Sequence, residues 1–551
     1  MLEKFEKYIA DLTSRASLWP LAALFVLISL VVYWPTRNAG FVMDWLGWQY
    51  AYDREGWAGV PGSFGYPGLH PVLHLGNYAL YWLFGAYNSI WYWFFAGLHG
   101  LNAALLARLA LRLPLNATPA TRLTIGLGTA VLFLLSPYTA EVVVWRVCLH
   151  YLLALLFALL AMHRVLDYLA APNKQFWWQI QLLVLLALFT FEWSLVIPVL
   201  LLALVLAYFF SKKTLPPLAV LRNLFAPQVG LWAFYFLLNK IRIGDWVGHY
   251  GAETHLNFDP QYIAANMLRY TVKHFAFARD WVHDVKTPLF EGLAGGWTFW
   301  LGTGIVLAAA AAWLFFFRRL NSRLQWAGAT FVWFFVALLP VSNLFFYSLQ
   351  YSENDRYGYF ASGFGWLGLV LLLSFLNKIH FRAALIVLAL LSGKFLLNIN
   401  QCWIECEKIS ASLVEDFRWY DRDEVVILAS PDNYQGVFMF RIIGQINGFN
   451  EALELRRRKP FKGAMWEVVQ FNVIQPDYAI SAEKDSTGML YKIGFRQDGN
   501  WWWRNGIGAL DYENERYDFK LKQWHAEIKL KEKRANTAVI YPVGGKWHEV
   551  E

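Results

Sequence analysis

Charged side chains are scarce in this chain. Asp, Glu, Lys and Arg make up 16% of its 551 residues, whereas they make up roughly a quarter of a typical soluble protein. Cysteine is rarer still, and the three residues Cys148, Cys402 and Cys406 are too few for a disulfide scaffold. No basic stripe alternates with aromatic residues, which argues against nucleic-acid binding. The net charge of +8 is therefore interpreted as loop lysines and arginines that set membrane topology.

Apolar residues are abundant and are concentrated in long runs. Hydrophobic residues make up 57% of the chain and aromatic residues 18%. Apolar runs of about 20 residues are typical of membrane-spanning helices. The sequence thus predicts an α-helical polytopic membrane protein with about eleven spans. The predicted spans are residues 17–35, 90–111, 121–137, 149–170, 177–191, 193–211, 223–241, 298–317, 325–346, 358–377 and 383–400.

The basic residues of the short loops predict the orientation of these spans. Sixteen lysines and arginines fall on one side of the predicted membrane, and four fall on the other. Because basic loops favour the cytoplasm, the N-terminus is predicted to be cytoplasmic. An odd number of spans then places the C-terminus outside, together with the two long loops 36–89 and 243–297.

The last 150 residues or so differ in character from the rest. Residues 1–400 form the predicted membrane domain, and residues 401–551, called the tail domain below, form a soluble extracytoplasmic domain of α/β or α+β type. The tryptophans Trp501–Trp503 are interpreted either as a platform for sugar rings or as strand core. The predicted elements of the tail domain are a helix at 401–418, a turn at Pro431–Gly436, and strands at Glu424–Leu428, Tyr517–Lys522, His525–Leu530 and Thr537–Tyr541.

Two charged residues at the outer membrane edge suggest a chemistry. Transfer of a sugar from a polyprenyl phosphate needs a base for the acceptor hydroxyl and a cation for the leaving phosphate. Asp44 is the predicted catalytic base, with a helix-capping role as the alternative. Arg356, followed by Tyr357, is the predicted ligand of the donor phosphate, because its planar fork suits a phosphate. A structural pair of Arg356 with Asp355 or Glu353 is the alternative.

Further charged residues close the outward-going spans. Glu141 and Glu192 each need a partner, because a carboxylate near hydrocarbon is costly. Each is either the partner of an arginine or part of the site, and a Glu141–Arg146 salt bridge is the simpler account. Lys240 and Arg242 end a span on the outer side and are predicted to bind the donor phosphate, unless they are ordinary boundary charges.

Histidines complete the set of candidate site residues. His70 and His74 are four residues apart, so they share a helix face, and with Asp44 they could hold a divalent metal. An unliganded pair is the alternative, so metal dependence stays open. His150 is close to Glu141 in sequence, and with His70 and Tyr357 it belongs to the predicted supporting residues of the site.

Several short patterns occur in an order known from one superfamily. They are Gly40-Phe41-Val42-Met43-Asp44, Leu98-His99-Gly100-Leu101-Asn102-Ala103, Pro137-Tyr138-Thr139-Ala140-Glu141-Val142-Val143-Val144-Trp145, Phe191-Glu192, Leu339-Pro340-Val341-Ser342-Asn343 and Arg356-Tyr357-Gly358-Tyr359. On these residues the chain resembles the polytopic glycosyltransferases of the GT-C fold, over roughly residues 18–410. Within that superfamily it most resembles the transmembrane O-mannosyltransferases that carry tetratricopeptide repeats, although it has no such repeats itself.

The resemblance implies a membrane glycosyltransferase. The donor would be an undecaprenyl- or dolichyl-phosphate sugar, the acceptor a protein or glycan outside the cytoplasm, and the reaction a single inverting displacement. Without the repeats of the eukaryotic proteins, a bacterial inner membrane with a periplasmic tail domain is expected. The chain departs from the pattern at Trp45, which stands where the family has a second acid, and at Cys148–Tyr151, which replaces a Gly-Arg-x-Asp.

Two other functions stay open from the sequence. A transporter or flippase of lipid-linked glycans would have broken helices and charged residues facing one another at mid-membrane. A non-catalytic scaffold of GT-C fold is compatible with the missing second acid.

Overall fold

The computed structural model describes most of the chain. The described residues are 18–64, 68–247, 257–344, 354–440, 448–475, 477, 480–495, 502–503, 509–522, 525–532 and 534–551.

The first three quarters of the chain form a bundle of helices. Helices lie on each of the eleven predicted segments, and further helices occupy the two long loops. The helices of the bundle are α1 Leu18–Tyr33, α2 Asp44–Glu55, α3 Val60–Ser63, α4 Pro71–Phe84, α5 Asn88–Arg112, α6 Pro119–Leu134, α7 Ala140–Val144, α8 Leu149–Ala170, α9 Lys174–Leu188, α10 Ile197–Ser211, α11 Leu218–Arg242, α12 Pro260–Phe275, α13 His283–Gly295, α14 Trp297–Phe316, α15 Ser322–Leu338, α16 Tyr359–Leu373 and α17 Lys378–Asp416.

Polar residues mark where several of these apolar helices begin. The side chains of Thr118, Asn173, Asn321 and Asn377 each accept a backbone N–H of the first turn of α6, α9, α15 and α17, respectively. Such caps satisfy N–H groups that have no partner within the helix. The sequence thus fixes the helix starts locally, while the apolar runs fix their lengths.

Length and hydropathy identify the helices that are able to cross a membrane. Within the described residues there are seven, or eight if the pair Pro119–Leu134 and Pro137–Val144, bent by 58°, counts as one span. The predicted polytopic helical character is confirmed, whereas the number eleven stays a prediction. Two of the remaining segments, α9 and α16, are helices of only 15 residues. The seven helices are Leu18–Thr36, Asn88–Arg112, Leu149–Ala170, Glu192–Ser211, Trp297–Arg319, Ser322–Val341 and Lys378–Asp416.

Helix α5 lies at the centre of the bundle and packs against α1, α6 and α8. Its Gly100 allows close contact with α1, because a Cβ atom there would lie 2.5 Å from the Cα of Val26. Helix α14, by contrast, is hardly covered by other parts of the protein, because only 6% of its apolar stretch is buried. An apolar helix with so little protein cover is suited to face lipid.

The tail domain is rich in strands, as predicted. Helix α17 runs through the predicted boundary at residue 400 and ends at Asp416, so its C-terminal part lies within residues 401–551 of the tail domain. The remaining elements are β1 Glu424–Tyr434, β2 Val437–Phe438, α18 Phe449–Arg457, β3 Ala464–Val473, β4 Ile480–Lys484, β5 Leu490–Phe495, β6 Trp502–Trp503, β7 Tyr512–Glu513, β8 Tyr517–Leu521, β9 His525–Leu530, β10 Thr537–Val543 and β11 Lys546–Glu549.

The strands of the tail domain form two sheets in the described residues. One sheet has the order β11-β10-β1-β3-β6, with β2 paired to β1, and its central strand β1 is parallel to both β10 and β3. The other has the order β4-β5-β9-β8-β7 and is antiparallel throughout. All eleven residues of β1 are buried, so this strand forms the core of the domain.

The predicted turn at Pro431–Gly436 is wrong in its extent. Strand β1 continues to Tyr434, and the chain reverses only at Gln435 and Gly436, which have φ angles of 47° and 88°. The pairing of β1 with β3 shifts register between Pro431 and Asn433. A bulge tolerates a proline, which has no N–H to donate to the sheet.

The tryptophan cluster is partly described. Trp502 lies in β6, is 6% exposed, and has its ring 6.2 Å from that of Phe471. The strand-core interpretation is therefore confirmed for Trp502, whereas Trp501 lies outside the described residues.

Candidate active site

Asp44 begins α2, and its position is set by the turn before it. Gly40 has a φ of +105°, and a Cβ atom there would lie 1.9 Å from the carbonyl oxygen of Val144, so only glycine fits. The indole N–H of Trp145 donates to the carbonyl of Val42 at 3.1 Å. The half-buried Asp44 lies in the first turn of α2, where a carboxylate also interacts favourably with the helix dipole.

Arg356 is held by Glu141. Its backbone N–H donates to one carboxylate oxygen at 2.8 Å, and its guanidinium donates to the other. The guanidinium carbon lies 5.4 Å from the ring centroid of Trp145 and 4.8 Å from that of Tyr357. The carboxylate and the aromatic rings therefore orient the guanidinium, which is 15% exposed.

These contacts decide between the expected pairings. The prediction that Glu141 is the partner of an arginine is confirmed, and the partner is Arg356. The simpler Glu141–Arg146 account does not hold, because Arg146 donates instead to the Asn88 side chain at 3.0 Å and to the Val143 carbonyl at 2.6 Å.

Asp355, the other expected partner of Arg356, belongs to a different cluster. Its carboxylate lies 3.1 Å from the Lys273 ammonium and 2.6 Å from the Arg279 guanidinium, and all three side chains are buried. Glu353 lies outside the described residues. Sequence reasoning does not single out Lys273 and Arg279, although both lie in the loop 243–297, where charged and aromatic residues are mixed.

A small pocket adjoins this cluster. Asn354, Asp355 and Gly358, which flank Arg356 in the chain, contribute to its wall. Burial lowers the pKa of His274 in the same wall to about 3, so this histidine is neutral at physiological pH. The remaining lining residues are Tyr138, Tyr270, Lys273, Phe334 and Leu338.

His70, His150 and Glu192 lie together on another side of the site. A Cβ atom on Gly68 would lie 2.7 Å from a carboxylate oxygen of Glu192 and 2.9 Å from a ring carbon of His70. The rings of His70 and His150 lie 6.1 and 4.4 Å from that of Phe191. The structure thus brings together three residues that are far apart in sequence.

This group is connected to Arg356 through aromatic rings. Trp193, next to Glu192, has its ring 5.9 Å from that of Tyr357.

The buried thiol of Cys148 lies among the central charges. Burial raises its pKa well above the ordinary value, the Glu141 and Asp44 carboxylates raise it further, and Arg356 opposes them. Trp145 links the two sides of the site, because its indole N–H donates to the carbonyl of Val42, two residues before Asp44, and its ring lies against the Arg356 guanidinium.

The other two predicted phosphate ligands, Lys240 and Arg242, lie in the last turn of α11. Lys240 donates to the carbonyl of Gly244, two residues after the end of α11, and its ammonium lies 5.9 Å from the Trp246 ring. Arg242 is exposed at the end of α11. Contact of these two residues with a donor phosphate stays a prediction.

The considered metal site is not formed in the described part of the chain. There, no group of three or more His, Cys, Asp or Glu side chains is placed to hold a metal ion. The ring of His74 lies instead 6.0 Å from that of Trp48.

The site therefore combines a half-buried carboxylate with a guanidinium that is oriented by a second carboxylate. A carboxylate of this kind can accept a proton, and an oriented guanidinium can stabilise an anionic leaving group. No protein family model matches the chain, and no curated protein matches its sequence.

Proposed function

We propose that the chain is a membrane glycosyltransferase of the GT-C type, which moves a sugar from a polyprenyl-phosphate donor to a protein or glycan acceptor. The observation that carries the proposal is that Trp145 contacts both the turn before Asp44 and the guanidinium of Arg356, which Glu141 holds in place. In this mechanism Asp44 removes the proton of the acceptor hydroxyl while Arg356 stabilises the departing lipid phosphate. Glu141 and Tyr357 orient Arg356, and Glu192, His70 and His150 support another side of the site.

The proposed location is a bacterial inner membrane, with a cytoplasmic N-terminus and a periplasmic tail domain. Contacts support a common side for the tail domain and both long loops. The backbone N–H of Met43 donates to the carbonyl of Met439, and the guanidinium of Arg279 donates to the carbonyl of Gln435. In this arrangement Lys240 and Arg242 are placed on the same side, as further contacts for the anionic donor.

The test is release of lipid phosphate from a polyprenyl-phosphate hexose by the full chain in nanodiscs. Asp44→Asn keeps the size of the side chain and removes the base, so the rate is expected to fall by roughly 10²–10⁴-fold. Asp53→Asn, in the same helix but paired with Arg458 and Tyr81, is the matched control and should keep the rate. An equal rate in Asp44→Asn would remove Asp44 from the mechanism.

A transporter of lipid-linked glycans is the second candidate, favoured by the 58° bend between Pro119–Leu134 and Pro137–Val144. Broken helices line the sites of many transporters. Here Glu141, in the bent segment Pro137–Val144, binds Arg356, whose neighbour Asp355 is linked to the tail domain through Arg279. This arrangement favours chemistry at a membrane edge. Movement of a fluorescent lipid-linked glycan across proteoliposomes, without release of lipid phosphate, would support the transporter instead.

A further inference from the structure

The segment that carries Asp44 is held by the tail domain as well as by the bundle. Glu407, on α17, accepts the backbone N–H of Gly40 at 3.2 Å. Arg456, on α18, donates to the carbonyl of Phe41 at 2.8 Å and pairs with Glu407 at 2.7 Å. The two side chains are only 20% and 17% exposed, so water screens this pair less than a surface salt bridge.

A third contact reaches the residue just before Asp44. The backbone N–H of Met43 donates to the carbonyl of Met439 at 3.0 Å. Met43 has a φ of 51°, a conformation that residues other than glycine rarely adopt. Contacts with the tail domain therefore help to maintain a strained backbone at the start of α2.

The tail domain also reaches the neighbour of Arg356. Gln435, in the turn between β1 and β2, accepts a hydrogen bond from Arg279 at 3.1 Å. Arg279 is in turn bonded to Asp355 at 2.6 Å, and Asp355 directly precedes Arg356. The tail domain thus contacts the backbone next to Asp44 directly, and it reaches the residue next to Arg356 through the side chain of Arg279.

We propose that the tail domain is a positioning part of the active site, in which the Glu407–Arg456 pair sets the position of Asp44 relative to Arg356. Glu407 and Arg456 act through the backbone at Gly40 and Phe41, so they are positioning residues. The catalytic consequence rests on the proposed function, whereas the positioning itself does not.

The positioning is tested by thiol accessibility in the full chain in nanodiscs. Asp44→Cys introduces a thiol at the half-buried position, while the three native cysteines are buried. When Glu407→Ala is added to Asp44→Cys, a maleimide should modify the introduced thiol roughly tenfold faster. A change of this size is expected from the loss of one charge-assisted hydrogen bond. Arg456→Ala should raise it similarly, and the double variant should add little, because both changes break the same pair.

Glu405→Ala is the matched control. Glu405 lies on the same helix, but it bonds to Gln401 and pairs with Lys408. Its loss should leave the modification rate unchanged. If Glu407→Ala lowers the yield of folded protein, Glu407→Gln keeps an acceptor for Gly40, loses the ion pair, and should give a smaller rise. The proposal would be overturned if both Glu407 variants and Arg456→Ala, each combined with Asp44→Cys, were modified at the same rate as Asp44→Cys alone.

Transfer assays separate this proposal from the proposed function. With Asp44 intact, Glu407→Ala should lower kcat by up to roughly 10²-fold, as expected for a misplaced reacting group, and leave the donor KM unchanged. If modification rates rise as expected but the parent chain transfers no sugar, the positioning stands and the proposed function fails. If transfer stays at the parent level while the modification rate rises, the catalytic role of the positioning is overturned.

Discussion

At the scale of single residues, the Glu141–Arg356 pair is the centre of the account. A guanidinium binds an anion through two directional hydrogen bonds as well as through its charge, so its planar fork fixes the geometry of the bound anion. Glu141 holds the backbone and the side chain of Arg356 at once, so the fork is oriented before any donor binds.

Arg356→Lys should therefore weaken donor binding while the charge is kept. The loss of a charged hydrogen bond is expected to cost about 1.5–3 kcal/mol, which is about tenfold or more in the dissociation constant. The measurement is binding of a polyprenyl-phosphate hexose to the chain in nanodiscs. Arg54→Lys, at an exposed pair with Glu454, should bind as the parent does. Unchanged affinity together with a lower melting temperature would make Arg356 a structural partner of Glu141.

Gly40 gives a second prediction at this scale. In Gly40→Ala the new methyl group would meet the Val144 carbonyl, and the φ of +105° is unfavourable for alanine. The free energy of unfolding should fall by more than about 1 kcal/mol, measured as a lower melting temperature. Gly97→Ala is the control, because a Cβ atom at this position in α5 meets nothing within 4 Å. Equal melting temperatures for both variants would show that the turn before Asp44 adapts.

At the scale of elements, α17 joins the bundle to the tail domain. The backbone N–H of Trp547 donates to the Asp416 carboxylate at 2.7 Å, and its indole donates to the Leu413 carbonyl at 2.9 Å. The thiol of Cys406 contacts the Phe438 carbonyl at 3.0 Å. Strands of the tail domain therefore pack on the part of α17 that follows residue 400.

This packing predicts how the tail domain behaves when it is expressed alone. A fragment of residues 401–551 should melt cooperatively, whereas a fragment of residues 418–551 should melt at a lower temperature or without a clear transition. The reason is that the shorter fragment loses the buried face of α17 and leaves Trp547 without its two partners. Calorimetry of both fragments measures the difference, and identical transitions would mean that α17 is not part of the domain.

At the scale of the whole molecule, the sequence predicts the elements better than their contacts. The apolar runs predict the helices on the eleven predicted segments but not the helices within the loops 36–89 and 243–297, and alternation predicts strands such as β8 and β9. The pair of Glu141 with Arg356, 215 residues apart in sequence, needs the fold to bring the two together. Lys273 and Arg279 were missed for a related reason, because charged residues of a loop are usually solvated and only the fold buries them beside Asp355.

The turn of the tail domain shows the same limit in a different form. Proline, aspartate, asparagine and glycine at positions 431–436 favour a turn. The neighbouring strand β3 overrides this local preference, because it pairs with β1 through a register shift as far as Tyr434. The contact between this hairpin and Arg279 is likewise visible only in the folded chain.

The most direct test of the central claim is photo-cross-linking of a polyprenyl-phosphate analogue with a photoreactive group beside its phosphate. The full chain in nanodiscs is irradiated, and the modified peptides are identified by mass spectrometry. The account predicts cross-links to residues 40–44 and 354–359, which excess unlabelled polyprenyl phosphate competes away and which Arg356→Lys reduces. Cross-links confined to the lipid-facing helix α14, unaffected by competitor and by Arg356→Lys, would contradict it.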